Sequence, residues 1–149
     1  MKKNYRWGFD VWALALFLFL MIPTVLWILF LPLRDPLRAE SVTPVVDIIG
    51  TIFQVLTVAT LCFVQWNRRA YYYRIWAMAA TILCILLYSP GWILYYMKGI
   101  TLASMLLMTL PPCLAFVFYA LAKRNTLAVI FAAVFTVCHL IYAIVNFLI

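Results

Sequence analysis

The chain has 149 residues, of which 69% are hydrophobic and only 10% charged, and its mean hydropathy is +1.11. These values exclude a soluble globular domain and indicate a single transmembrane domain over residues 1–149. The net charge of +7 does not imply nucleic acid, because the basic residues fall one to three at a time between apolar runs, as they do in cytoplasmic loops.

A helix needs about 20 apolar residues to cross the hydrocarbon. Stretches free of Asp, Glu, Lys and Arg run over 11–33, 48–67, 75–97, 99–122 and 125–149. They predict five transmembrane helices at about 11–33, 45–66, 75–97, 100–121 and 127–148. The expected fold is all-α, a polytopic membrane protein with five helices in one bundle; short links make the last four spans antiparallel neighbours. The N-terminal MKKNYRWGFD resembles the basic region of a signal peptide. The apolar run after it is too long and lacks a small-x-small cleavage site, so it reads as a retained first span.

Lys and Arg are held on the cytoplasmic side during insertion. Eight of them lie at the N-terminus (Lys2, Lys3, Arg6), the second loop (Arg68, Arg69, Arg74) and the fourth loop (Lys123, Arg124), against three elsewhere (Arg34, Arg38, Lys98). The N-terminus is therefore expected inside and the C-terminus outside. Tryptophans and tyrosines cluster near both predicted boundaries, where amphipathic rings are most stable.

Four spans contain proline. Pro23 should bend the first span by removing a backbone donor. Ser41-Val42-Thr43-Pro44 predicts the start of the second, with a capping hydroxyl, a first-turn proline and Asp47 near the positive end of the helix dipole. Ser89-Pro90-Gly91 predicts a kink or short unwound turn in the third, and Pro111-Pro112 is a breaker in the fourth. The fifth carries Ala128, Ala132 and Thr136 at four-residue intervals, a stripe suited to close helix contact. All four cysteines (Cys62, Cys84, Cys113, Cys138) fall within apolar runs without ligand spacing, and read as packing residues with no disulfide and no metal site.

Asp47, Thr51 and Gln54 share one face of the second span, and His139, Tyr142 and Asn146 share one face of the fifth. At 1.5 Å per residue, Gln54 and His139 both lie about 13 Å below the outer surface. These faces, with Ser104 at a similar level, predict an outward-facing polar pocket between spans 2 and 5. The competing role for such residues is hydrogen bonding between helices. A lone histidine is not a metal site, and no cofactor is expected.

The loop after the first span, Arg34-Asp35-Pro36-Leu37-Arg38-Ala39-Glu40-Ser41, is the main polar island. It reads as a solvated turn with local charge pairs; as a site, Arg34 and Arg38 could hold a lipid phosphate or a carboxylate while Asp35, Glu40 and Asp47 move protons.

The run Phe9-Asp10-Val11-Trp12, Ile22-Pro23, Trp27, Asp35, Leu37-Arg38, Glu40-Ser41-Val42-Thr43-Pro44, Asp47 and Gln54-Val55 resembles the N-terminal part of small uncharacterised membrane proteins of Gram-positive bacteria. The resemblance implies a bacterial plasma membrane and carries no catalytic role. The tryptophan-rich sensory proteins, five-helix binders of porphyrins and sterols, are similar in architecture only, since the Trp-Tyr and Lys-Pro pattern of their first loop is absent.

The expected function is non-enzymatic: binding or transport of a small amphipathic ligand or lipid in the pocket between spans 2 and 5. The alternatives are an accessory subunit docked on another membrane protein and an outer-surface lipid-modifying enzyme using the loop after the first span.

Overall fold

The computed structural model describes residues 5–30, 32, 35–66 and 74–149. Arg34, the basic residues Lys2, Lys3, Arg68 and Arg69, and the run Tyr71, Tyr72 and Tyr73 lie outside the described residues. In chain order the elements are β1 (Tyr5–Trp7), α1 (Val11–Leu29), a single 3-10 turn (Pro36–Arg38), α2 (Pro44–Phe63), β2 (Val64–Trp66), α3 (Ile75–Lys98), α4 (Leu102–Ala122) and α5 (Thr126–Phe147). All five α-helices are long and apolar enough to cross a membrane, so the chain is a multi-pass membrane protein with a helical bundle.

Neighbouring helices are α1–α2, α2–α5, α5–α4, α4–α3 and α3–α1, which closes a ring in that order. Contact is broadest between α3 and α4 and thinnest around α1. The reason for the close α3–α4 seam is Gly91. A Cβ there would stand 2.8 Å from the carbonyl carbon of Leu107 and 2.9 Å from the amide nitrogen of Met108. Ser89-Pro90-Gly91 was expected to give a kink or a short unwound turn; α3 does not unwind there and is helical throughout. Glycine serves here as a site of close backbone approach, and packing against α4 holds the helix through its proline. The helices also run on through Pro23 and through Pro111-Pro112. In α1, the carbonyl of Leu20, in the turn before Pro23, accepts the Tyr88 hydroxyl at 3.2 Å.

Two boundaries differ from expectation. Helix α1 ends at Leu29, four residues short, ahead of Pro32, which has no backbone N–H with which to continue it. Helix α2 ends at Phe63, and Val64–Trp66 is a strand that pairs antiparallel with β1, Tyr5 opposite Trp66 and Trp7 opposite Val64. Both triplets place a polar residue between apolar or aromatic ones, the period-2 pattern of a strand. Only the partner, 59 positions away from Arg6 to Gln65, makes the pairing possible.

Helix α2 starts with Pro44 in its first turn, as expected, but the Thr43 hydroxyl does not cap the backbone. It donates instead to the Asp47 carboxylate at 3.1 Å. The Ala128, Ala132 and Thr136 stripe is buried, and the Thr136 hydroxyl returns to the Ala132 carbonyl at 2.7 Å. All four cysteines are free.

The end of the bundle that carries the strand pair is locked by Asp10, which is 6% exposed. Its carboxylate caps α1 through the amides of Trp12 (3.0 Å) and Ala13 (3.3 Å), accepts the Tyr119 hydroxyl at 3.1 Å and pairs with Lys123. The Asp10 amide donates to Cys62 of α2 at 2.8 Å. Asn125 completes the junction by donating to the carbonyls of Thr60 (3.2 Å) and Val64 (2.8 Å). One side chain thus joins α1 to α4 while its backbone joins α1 to α2.

Two outcomes follow for thermal unfolding in mild detergent. Gly91→Ala, whose methyl would press on backbone that cannot yield, should destabilise by about 1–3 kcal/mol. Asp10→Ala, which removes a cap and breaks a buried ion pair, should cost roughly 3 kcal/mol or more, with Asp10→Asn losing less.

Candidate functional site: a chamber inside the helix ring

The ring encloses a chamber of about 380 Å³ walled by all five helices. Its lining is mostly apolar: Leu20 and Met21 from α1, Trp92 from α3, Met105 and Met108 from α4, Phe135 from α5. A second cavity of about 280 Å³ opens between α2 and α5, lined by Asp47, Gly50, Thr51 and Gln54 on one side and Cys138, His139 and Tyr142 on the other. The two spaces share Gln54, Phe135, His139 and Tyr142 as walls. Gly50 allows α5 near, since a Cβ there would lie 3.2 Å from that of Cys138.

The residues expected to form a polar pocket divide by what they bond. Asn146 joins α5 to the start of α2: its oxygen accepts the Val42 amide at 2.8 Å and its amide donates to the Thr43 hydroxyl at 2.9 Å. The Thr51 hydroxyl bonds the Asp47 carbonyl of its own helix at 2.8 Å. Ser104 is buried in a reciprocal capping box with Thr101 at the start of α4, and lines neither cavity. Asp47 lines the α2–α5 cavity and accepts from Thr43.

Gln54, His139 and the Tyr142 hydroxyl are different. Among the described residues none of them makes a side-chain hydrogen bond. The His139 ring is stacked between Phe135 (centroids 5.4 Å apart) and Tyr142 (6.1 Å), so its orientation is set by aromatic packing. An amide and an imidazole in the middle of apolar helices carry a desolvation cost that bonding offsets only when a partner is present.

At the opposite end from the strand pair, Asp35 gathers the chain. Its Oδ1 accepts the Tyr95 hydroxyl at 2.8 Å and the Trp27 indole N–H at 3.2 Å, and Arg38 Nε lies 3.2 Å from Oδ2. The Arg38 guanidinium also stands 5.6 Å over the Trp27 ring. Leu37, in the 3-10 turn between them, reaches the chamber wall. Glu40 is exposed and joins none of these contacts. Asp35 and Arg38 form a latch over the chamber, and no group of three His, Cys, Asp or Glu side chains able to hold a metal occurs among the described residues.

Sequence reasoning missed the α3 side of the chamber. Tyr88, Tyr95 and Tyr96 stand at i, i+7 and i+8, one face of a helix, and all three hydroxyls reach α1 or its following loop: Leu20 (3.2 Å), Asp35 (2.8 Å) and Phe30 (3.0 Å). The spacing was legible; the partners were not. Asp10 was likewise a readable helix cap ahead of an apolar run.

No protein-family model, curated protein or solved structure matches this chain. The site must be read from its own geometry.

That geometry separates bonding residues from unbonded ones by stability. Asn146→Ala should lower thermal stability by about 0.6–1.7 kcal/mol. Gln54→Leu and His139→Leu, which replace unbonded polar groups by apolar ones of similar bulk, should leave it unchanged or raise it. A loss in the latter two equal to that of Asn146→Ala would make them helix-joining residues.

Proposed function

We propose that this protein binds an amphipathic small molecule inside its helix ring, with the polar part between α2 and α5 and the apolar part in the central chamber, and that it does so without covalent chemistry. The observation that carries this reading is the set of three polar side chains, Gln54, His139 and Tyr142, which line both cavities and which the fold leaves without hydrogen bonds. Polar groups at membrane depth that do not join helices are characteristic of ligand sites and pathways. The amide of Gln54 can donate and accept, and neutral His139 can do the same. Apolar walls of Met, Phe and Leu suit a hydrocarbon or ring body, and methionine adapts to irregular shapes.

The distribution of basic residues supports a topology with the strand-pair end inside the cell and the α2–α5 mouth outside. Together with the resemblance carried by the N-terminal part of the chain, it supports a bacterial plasma membrane. The lipid-modifying enzyme is the weaker reading, because Asp35 is already engaged by Tyr95 and Trp27 and Glu40 stands apart from it.

Native mass spectrometry of the protein extracted in mild detergent is the direct test. The expected spectrum carries a bound small molecule at one per chain, which is lost in Gln54→Leu and His139→Leu while both variants keep their thermal stability. A second polypeptide at fixed stoichiometry, with no small molecule, would instead make the protein an accessory subunit.

A further inference from the structure

A third space lies on the outside of the ring. Between α1 and α2 a crevice of about 410 Å³ is lined by Phe17, Met21, Val55, Val58, Ala59 and Phe63, with Gln54 as its one polar wall among the described residues. Met21 and Gln54 also line the central chamber and, among the described residues, are the walls that chamber and crevice have in common. Val55 and Phe63 are exposed on the membrane-facing surface. Gln54, the eleventh residue of a 20-residue helix, therefore borders all three spaces at mid-depth.

The two seams of α1 differ in kind. Toward α3 it is held by the three tyrosine hydroxyls of Tyr88, Tyr95 and Tyr96, directly or through Asp35. Toward α2, among the described residues, the hydrogen bonds lie only at the strand-pair end, from Gly8 to Phe63 and from Asp10 to Cys62. Beyond that point the α1–α2 seam is closed by side-chain packing alone. Such a seam opens in hydrocarbon without breaking any polar contact, and lipid tails replace what is lost.

Charge narrows the occupant. Among the described residues, none of the three spaces has a Lys or Arg in its wall, and the one charged lining residue is Asp47. An anionic head group would be desolvated with no counter-charge, beside a carboxylate.

Resting on the ligand-binding reading above, we infer that the ligand comes from the bilayer: a hydrocarbon-tailed lipid with an uncharged, oxygen-bearing head, which hydrogen-bonds Gln54 and whose apolar part lies in the central chamber with its tail continuing past Gln54 into the crevice between α1 and α2. The Gln54 amide meets the head oxygen at the junction of the spaces, and the apolar crevice takes the chain. The α2–α5 mouth then serves the head group alone.

The test uses the full chain in phosphatidylcholine vesicles with a long-chain monoacylglycerol bearing a diazirine in its acyl chain. After irradiation, labelled residues are mapped by peptide mass spectrometry. Saturable label is expected on the segments carrying Phe17, Met21, Val55 and Val58. It should fall about tenfold in Val55→Trp, which fills the crevice from its exposed rim, and about tenfold when the probe's head is a carboxylate. Leu86 and Ile93 on the outer face of α3 (65% and 59% exposed) report ordinary lipid contact. Crevice label no higher than theirs, or equal label from the carboxylate probe, would overturn the inference. If a co-purified small molecule still depends on Gln54 and His139 in that case, the binding reading stands and only the lipid route fails. If no small molecule co-purifies and no label saturates anywhere, both fail.

Discussion

Helix α1 is held at its ends by two carboxylates, and the interior of the molecule depends on that arrangement. Asp10 anchors one end to α4 through Tyr119 and Lys123; Asp35 anchors the other to α3 through Tyr95. Each carboxylate sits near a membrane boundary, where a charge can be both paired and close to water, and both accept several hydrogen bonds. Because the ends are fixed, the middle of α1 does not have to pack tightly on α2. A chamber inside the ring and a crevice beside it are what remain.

Polar side chains within the helices have been divided between two uses. Asn125, Asn146, Thr43 and the α3 tyrosines bond backbone or side chains of other elements, which is how helices associate where lipid offers no hydrophobic drive. Gln54, His139 and the Tyr142 hydroxyl bond nothing among the described residues. Their positions are maintained by packing instead: His139 by its stacked neighbours, Gln54 by its place on a helix that Gly50 lets lie close to α5. The same reasoning applies to the prolines. None of the three proline-bearing helix interiors is interrupted; packing against neighbouring helices holds them through their prolines.

The five spans were determined by the sequence alone, since a run of about 20 apolar residues has no other stable place than a bilayer, and its backbone must form a helix there. The faces carrying Gln54 and His139 were equally legible, because helical periodicity places residues around an axis without knowledge of neighbours. Whether a polar side chain joins helices or stands free depends on what lies opposite. Asn146 and Tyr142 are one turn apart on α5, yet only Asn146 meets the chain before α2. Ser104 looked like a pocket residue and became a helix cap, because Thr101 lies three residues before it. Only the tertiary structure could decide that Val64–Trp66 leaves the helix for a strand, that Gly91 is a contact and not a break, and that Asp10 reaches Lys123. Each depends on residues distant in sequence, and local pattern holds no record of distance in space.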